Sequence, residues 1–124
     1  MFVLTLQAYF RLIHFDFYLI RGDFKGLCDK VRNCRVSDHA SSPDMAASIC
    51  AAVDLACIWY WKEALCLQRS AVAAYLLKRS GVPAQLVIGA QQIPFRAHAW
   101  VEVDGLVVND KPYAPEIYAV LDRC

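Results

Sequence analysis

The chain has 124 residues, of which 58% are apolar and 20% charged, and its formal net charge is +1 at pH 7. This length predicts a single domain with its own buried core, comprising a helical N-terminal part over residues 1–60 and a second part over residues 61–124. The apolar content excludes intrinsic disorder. Lys and Arg are scattered among acidic residues without a basic stripe, so we expect no nucleic-acid partner.

The first predicted element is a helix over residues 2–20 that is apolar around most of its circumference. Gln7, Arg11, His14 and Tyr18 recur at helical spacing and form one narrow polar stripe. Polar residues interrupt the stretch, no basic segment opens it and no cleavage-site pattern follows, so we expect neither a signal peptide nor a membrane span. A polar stripe this narrow is typical of a helix covered by other protein, so we expect its apolar face to dock a partner.

Two further helices are predicted before the midpoint of the chain. The second covers residues 24–35 and is more polar than the first. The third follows a loop and begins at Ser42, Pro43 and Asp44, which supply a capping hydroxyl, a first-turn proline and an acid at the positive end of the helix dipole. It is predicted to end at about Trp59, and an aromatic junction over residues 60–64 leads on to the next helix.

A fourth helix is predicted from Cys66 to about Ser80, where Gly81 and Pro83 end it. No Ser, Thr, Asp or Asn immediately precedes Cys66, so capping rules do not fix where this helix begins. Three short strands follow, at residues 85–89, 95–103 and 106–110. Residues 113–121 carry no clear pattern. Helices followed by an antiparallel meander predict an α+β domain.

Cys66, His98 and Asp110 are the candidate catalytic residues. A thiol at a helix start is easier to ionise, because the terminal N–H groups and the helix dipole stabilise negative charge there. An imidazole can take the thiol proton, and a carboxylate can fix the tautomer of the imidazole. Core roles for Cys66 and His98, a strand-end role for Asp110, and zinc binding by all three remain alternatives. Because no two of them lie close in sequence, we expect no metal site.

The predicted hairpin decides whether His98 meets Asp110. The two residues stand opposite each other on one sheet face if a three-residue loop over residues 103–105 joins the strands, with Gly105 left-handed in a glycine bulge. We predict this bulged hairpin. A tight two-residue turn would shift the register by one residue, and Asn109 would then be the candidate that orients His98.

The remaining cysteines and histidines are not assigned to the site. The six cysteines include no Cys-x-x-Cys pair, and Cys50 and Cys57 fall on one helix face as small core residues. We therefore expect free thiols and a reducing, cytoplasmic location. His14 lies on the polar stripe and His39 in a loop, and neither is given a catalytic role.

Three residues are candidates for contacting a substrate. Arg69 lies one helical turn after Cys66, although a solvated or ion-paired arginine is an equal alternative. Trp100 follows His98 by two positions on the same strand face, where core packing is the more ordinary role. Trp61 lies in the aromatic junction before the fourth helix.

The motifs Cys66-Leu67-x-Arg69-Ser70, Leu86-Val87-Ile88-Gly89 and Ala97-His98-Ala99-Trp100-Val101-Glu102, with an acid after a Gly-containing turn, resemble one family. This family is the lasso peptide maturation proteases, the transglutaminase-like B-proteins of lasso peptide biosynthesis. The resemblance covers roughly the last two-thirds of the chain, in the expected order. It implies a transglutaminase-like (papain-like) cysteine protease core, with N-terminal helices followed by a small antiparallel sheet.

The resemblance also implies a function: a cysteine peptidase that removes the leader from a ribosomally made lasso precursor peptide. Cys66 would be the nucleophile, His98 the general base and acid, and Asp110 the orienting residue, with no cofactor. Its expected partners are a separate leader-recognition protein and an ATP-dependent macrolactam cyclase. We expect a stand-alone protease, because the residues before Cys66 are predicted to form helices without the strands of a recognition domain.

Two other functions stay open from the sequence. One is a transglutaminase-like amidase or acyltransferase that acts on side-chain amides through the same thiol. The other is a non-catalytic interaction module in which the three residues are no longer a working triad. In each case the first helix would dock a partner protein through its apolar face.

Overall fold

The computed structural model describes residues 2–38 and 43–124. Four helices come first: α1 (Phe2–Ile20), α2 (Phe24–Arg32), α3 (Pro43–Trp59) and α4 (Cys66–Arg79). The rest of the chain forms β1 (Ala84–Gln92), β2 (Phe95–Val103), β3 (Leu106–Val107), α5 (Ala114–Ile117) and β4 (Ala119–Arg123). Neighbouring strands are antiparallel, in the order β3-β2-β1-β4. The predicted α+β class is confirmed.

The predicted helices agree with the structure except at the end of α2. This helix ends at Arg32 rather than at residue 35, because Asn33 and Cys34 donate their N–H groups back to the last turn and close it. The other boundaries of α1, α3 and α4 lie within a residue of those predicted. The predicted cap Ser42 and the loop residue His39 lie outside the described residues. None of the helices described, α1 included, combines the length and the apolar run needed to cross a bilayer.

The strands differ more from the prediction than the helices do. β1 is longer at both ends, and the third strand is a two-residue pair at Leu106–Val107 instead of a strand that reaches Asp110. The unassigned tail forms α5 and the edge strand β4. All five residues of β4 are exposed. A strand without a buried face need not alternate apolar and polar residues, so the pattern that identifies a half-buried strand is missing here.

The core surrounds α4, which lies between two other helices and the sheet. Every residue from Ser70 to Lys78 is buried, as expected of a helix covered on all sides. α1 and α3 pack against it on one side, and β1 and β2 on the other. Leu12 and Phe15 of α1 and Val101 of β2 are fully buried in this core, and each such side chain contributes about 1.5–3 kcal/mol through burial.

Candidate active site

Cys66 is the first residue of α4 and is half-buried. The preceding Leu65 has extended backbone angles (φ −71°, ψ 155°) and offers no capping side chain. The N–H of Arg69 donates to the C=O of Leu65 (2.9 Å) and closes the first turn. The N–H groups of residues 66–68 therefore point out of the helix end. The predicted helix start at Cys66 is confirmed.

The segment before Cys66 is anchored to α1 by a buried carboxylate. The Tyr60 hydroxyl donates to Asp16 Oδ2 (3.0 Å), and Lys62 Nζ lies 2.7 Å from Asp16 Oδ1. The contact between Lys62 and Asp16 is an ion pair, and its geometry is not that of a hydrogen bond. Within the first turn of α4, the amide of Gln68 donates to the C=O of Leu12 (2.7 Å). The N-terminal helix thus holds both sides of the helix start that carries the thiol.

The predicted bulged hairpin between β2 and β3 is wrong. Val103 pairs with Leu106, so the loop contains only Asp104 and Gly105. Both have positive φ, 53° and 79°, as in a type I′ turn. Asp tolerates the left-handed conformation, so the strands close without a third loop residue.

Asp110 nevertheless reaches His98. β3 ends at Val107, so the chain leaves the sheet before Asp110 and strand register no longer determines where its side chain lies. Asp110 Oδ2 contacts His98 Nε2. The expectation that a two-residue turn would give this place to Asn109 is wrong for the same reason. Asn109 instead accepts a hydrogen bond from the N–H of Val101 on its Oδ1 (2.8 Å).

A buried hydroxyl that the sequence analysis did not single out joins the parts of the site. Ser70 is fully buried, and its hydroxyl donates to the C=O of Ala99 (3.1 Å). The same oxygen accepts a hydrogen bond from Asn109 Nδ2 (3.0 Å). Ser70 lies one turn after the candidate nucleophile, Ala99 follows the histidine, and Asn109 precedes the aspartate. The available signal was a serine in an otherwise apolar helical run.

Electrostatics at the site keep Asp110 ionised. Burial acts to raise the pKa of Asp110, but the hydrogen bonds from His98 and from the Lys111 N–H (2.8 Å), with the nearby charge of Arg69, hold that pKa below its usual value. An ionised carboxylate accepts the Nε2–H of the imidazole. The other ring nitrogen, Nδ1, then carries the lone pair that can take a proton.

Two aromatic rings pack against the imidazole on the face of the sheet that points away from α4. The ring centroid of His98 lies 5.1 Å from that of Tyr118 and 6.0 Å from that of Trp100. Trp100 donates from Nε1 to the buried Glu102 (2.8 Å). Gly89 lies directly opposite His98 on β1, and a Cβ there would lie 2.8 Å from the Trp100 ring and 2.9 Å from Tyr118 Cβ. Tyr118, in the unassigned tail, was also missed.

The three candidate substrate contacts are placed differently. Trp100 is fully buried and has no surface to offer a substrate, so the structure shows it in its core role. Arg69 pairs with Asp54 of α3 (3.0 Å). Trp61 is 70% exposed and lies close to Cys66 in sequence. Substrate contacts by Arg69 and Trp61 stay predictions.

Burial keeps two of the other thiols, those of Cys50 and Cys124, protonated. All six cysteines are free. Burial raises the pKa of Cys50 to about 11 and that of Cys124 to about 12, so neither is a thiolate near neutral pH. Across residues 2–38 and 43–124, no group of three or more His, Cys, Asp and Glu side chains is arranged to hold a metal ion.

Comparison with known proteins places the chain in a family. The model of the transglutaminase-like superfamily matches residues 11–123. The microcin J25-processing protein McjB of Escherichia coli is 45% identical over 47 residues, which cover 38% of this chain and 23% of that protein. No solved structure matches the chain significantly. Because the family model covers almost the whole sequence, the chain belongs to the transglutaminase-like superfamily.

Proposed function

We propose that this chain is a cysteine peptidase that removes the leader from a ribosomally made lasso precursor peptide. The observation that carries the proposal is the Ser70–Asn109 network, which ties α4, one turn after Cys66, to the strand of His98 and to the residue before Asp110. Membership of a superfamily of transglutaminase-like proteins supports thiol chemistry. Similarity to a protein named for microcin J25 processing supports a precursor peptide as the substrate.

In the proposed reaction, His98 Nδ1 takes the proton of the Cys66 thiol, and the thiolate attacks the scissile carbonyl. The resulting oxyanion is stabilised by N–H groups at the start of α4, including that of Cys66. His98 then gives its proton to the departing core amine, leaving an acyl-enzyme. Water, deprotonated by His98, hydrolyses this thioester, and the thiol is restored. Asp110 keeps Nε2 protonated throughout.

We also propose the partners that such a step requires. A separate leader-recognition protein would deliver the precursor, and a macrolactam cyclase would close the ring on the freed amine. The apolar residues Phe10 and Phe17 of α1 are 66% and 56% exposed, which supports docking through this helix. Six free thiols support a reducing cytoplasm as the location.

The test is incubation of the chain with a lasso precursor peptide and its recognition protein, followed by mass spectrometry. We expect an intact leader and a free core amine, and a loss of roughly a thousandfold or more in rate for Cys66→Ala. Cys57→Ala, which changes a half-buried thiol of α3, is the matched control and should retain activity. Full activity of Cys66→Ala would refute the proposal.

The same reaction also tests the amidase alternative. A transglutaminase-like amidase would release ammonia from glutamine side chains and leave the peptide backbone intact. Both activities depend on Cys66, so the masses of the products, rather than the effect of the variant, distinguish them.

A further inference from the structure

Three cations converge on the ring of Tyr75, near the C-terminal end of α4. The guanidinium carbon of Arg11 lies 4.6 Å from the ring centroid, while that of Arg79 and the Nζ of Lys30 each lie 5.8 Å from it. Any two of these charges are therefore within about 12 Å of each other, a distance comparable to the Debye length of about 10 Å at 0.1 M salt. α1, α2 and α4 supply one cation each, and their mutual repulsion is only partly screened.

The acids of these three helices contact other groups. α4 contains no Asp or Glu. In α1, Asp16 is buried and hydrogen-bonded to Tyr60, and in α2, Asp29 pairs with Arg32 (3.1 Å). Across residues 2–38 and 43–124, no carboxylate lies within ion-pair distance of the three cations. The described residues therefore leave this positive charge uncompensated.

The neighbouring imidazole of His14 does not offset the charge. Arg11 donates from Nη1 to Nδ1 of His14 (3.2 Å), so this contact requires an unprotonated ring nitrogen. Burial lowers the pKa of His14, and the positive charges of Arg11 and Lys30 lower it further. The imidazole is therefore neutral at pH 7, in surroundings of positive potential.

A cleft of about 470 Å³ opens beside these cations, between α1 and the end of α4. Its lining combines apolar and polar side chains, including Leu4, Phe10, Leu76, Gln7, Arg11 and Arg79. Phe10 is 66% exposed, although it is a large apolar side chain. The cleft therefore offers apolar contacts and two guanidinium groups to one ligand.

The shape and the charge of the cleft favour a polypeptide over other occupants. A flat bilayer surface does not reach into a cleft between two helices. A second copy of the chain, packed through the same face, would bring like charges together. A small inorganic anion would leave the apolar lining in contact with water. A peptide with carboxylates on either side of an apolar residue satisfies both the charge and the apolar lining.

We propose that the cleft between α1 and the end of α4 binds an acidic peptide segment of a partner protein. Carboxylates of the segment accept hydrogen bonds from Arg11 and Arg79, and an apolar side chain between them packs on Phe10 and Leu76. Cys66 lies at the opposite end of α4, about 20 Å away at 1.5 Å per residue. The bound segment therefore leaves the thiol accessible, and the inference does not depend on the chemistry of Cys66.

The experiment measures the binding of rhodamine-labelled peptides to the full chain by fluorescence anisotropy at low salt. Each acidic peptide carries two glutamates that flank a leucine and stand two, three or four positions apart, so extended chains cover carboxylate separations up to about 13 Å. Each has a twin with glutamine in place of both glutamates. We expect at least one acidic peptide to bind about tenfold more tightly than its twin, since two charge-assisted contacts are added. This advantage should shrink as salt is raised.

Variants of the chain locate the binding. Arg11→Gln and Arg79→Gln should each reduce the advantage of the acidic peptide roughly threefold, because each removes one charge that lines the cleft. Phe10→Ser should weaken the acidic peptide and its twin alike, since it removes an apolar contact only. Arg96→Gln changes an exposed arginine of β2 and is the matched control, which should keep the full advantage. The glutamine twins test the inference on the wild-type chain even if a variant does not fold.

Four results would overturn the inference. The first is that no acidic peptide binds more tightly than its twin. The second is an advantage that Arg96→Gln reduces as much as Arg79→Gln does, because the charge of the whole chain would then explain it. Displacement of the acidic peptide by an equal concentration of inorganic phosphate would indicate a small-anion site instead. Binding to phosphatidylglycerol vesicles that Arg11→Gln weakens, without a preference for acidic peptides, would assign the cleft to a membrane surface. None of these results involves the reaction at Cys66, so each leaves the peptidase proposal standing.

Discussion

The carboxylate of Asp110 contacts His98 through Nε2, and this choice of nitrogen decides which proton transfers the imidazole can perform. With Nε2–H donated to the carboxylate, Nδ1 is the basic nitrogen and the one that would meet a thiol or a leaving amine. The side chain of Asp110 is 19% exposed, so this pairing is only partly screened by solvent. The same contact therefore serves both protonation chemistry and stability.

We expect Asp110→Asn to lower the free energy of unfolding by about 1 kcal/mol at pH 7, since a charge-assisted hydrogen bond is lost at a partly exposed site. The pKa of Asp110 is lowered in the folded chain. The contribution of Asp110 to stability is therefore complete above its pKa in the unfolded chain, about 4. It is lost as the pH falls through its pKa in the folded chain. Urea unfolding at pH 7 and at pH 3 measures this.

Asp104→Asn is the control for that change, because it alters an acid in the neighbouring turn where asparagine also accepts positive φ. It should leave the pH dependence unchanged. A difference between wild type and Asp110→Asn that is equally large at both pH values would contradict the role of the ionised carboxylate.

At the scale of elements, β2 joins the two halves of the site. One face packs Ala99 and Val101 against α4, and the other carries His98 and Trp100. Gly89 makes room for Trp100 on the second face, since the Trp100 ring covers the space that a side chain at position 89 would need. The aromatic contacts of His98 thus depend on a glycine in the neighbouring strand.

We predict that Gly89→Ala destabilises the chain by roughly 1–3 kcal/mol, the usual cost of overpacking. The added methyl would meet the Trp100 ring at 2.8 Å, and movement of that ring would also displace His98. Trp100→Phe removes the ring atoms that clash. A double-mutant cycle by urea unfolding should therefore show a loss for the pair that is smaller than the sum of the two single losses. Strictly additive losses would contradict the clash.

Most elements of this fold could be predicted from local patterns, but the hairpin could not. Pro43, Gly81 and helical periodicity mark the helices, whereas an Asp-Gly pair suits both a two-residue turn and a glycine bulge. The sequence does not say which one forms. It also does not reveal that β3 stops at Val107, and this early end is what lets Asp110 reach His98.

The sequence predicted which residues form the candidate site and their order along the chain, but not how they are held together. Cys66, His98 and Asp110 carry recognisable chemistry, so they can be named without a structure. Ser70 and Asn109 cannot, because their importance lies in hydrogen bonds between segments far apart in the chain. Tertiary pairing of this kind leaves no local sequence pattern.

For the whole molecule, α1 links the N-terminal half to the start of α4. Its outer face exposes apolar side chains, while its inner face buries Asp16 against the segment that precedes Cys66. A buried carboxylate is costly unless its oxygens are hydrogen-bonded. Among the residues that the structure describes, Tyr60 supplies the one aligned hydrogen bond to Asp16, since Lys62 contributes charge without alignment. The position of the thiol is therefore coupled to a helix more than forty residues away in sequence.

We expect Tyr60→Phe to lower the free energy of unfolding by about 1–3 kcal/mol, because the buried Asp16 then loses the hydrogen bond to Oδ2 as well. The alkylation of Cys66 by iodoacetamide should change in rate as well, since the loop before the helix loses its anchor. Tyr113→Phe removes a half-exposed hydroxyl elsewhere and should alter neither quantity. Loss of stability with an unchanged alkylation rate would show that Asp16 and Tyr60 stabilise the fold without positioning the thiol. If neither quantity changes, the proposed link between α1 and the site is refuted, because the buried carboxylate would then be satisfied without Tyr60.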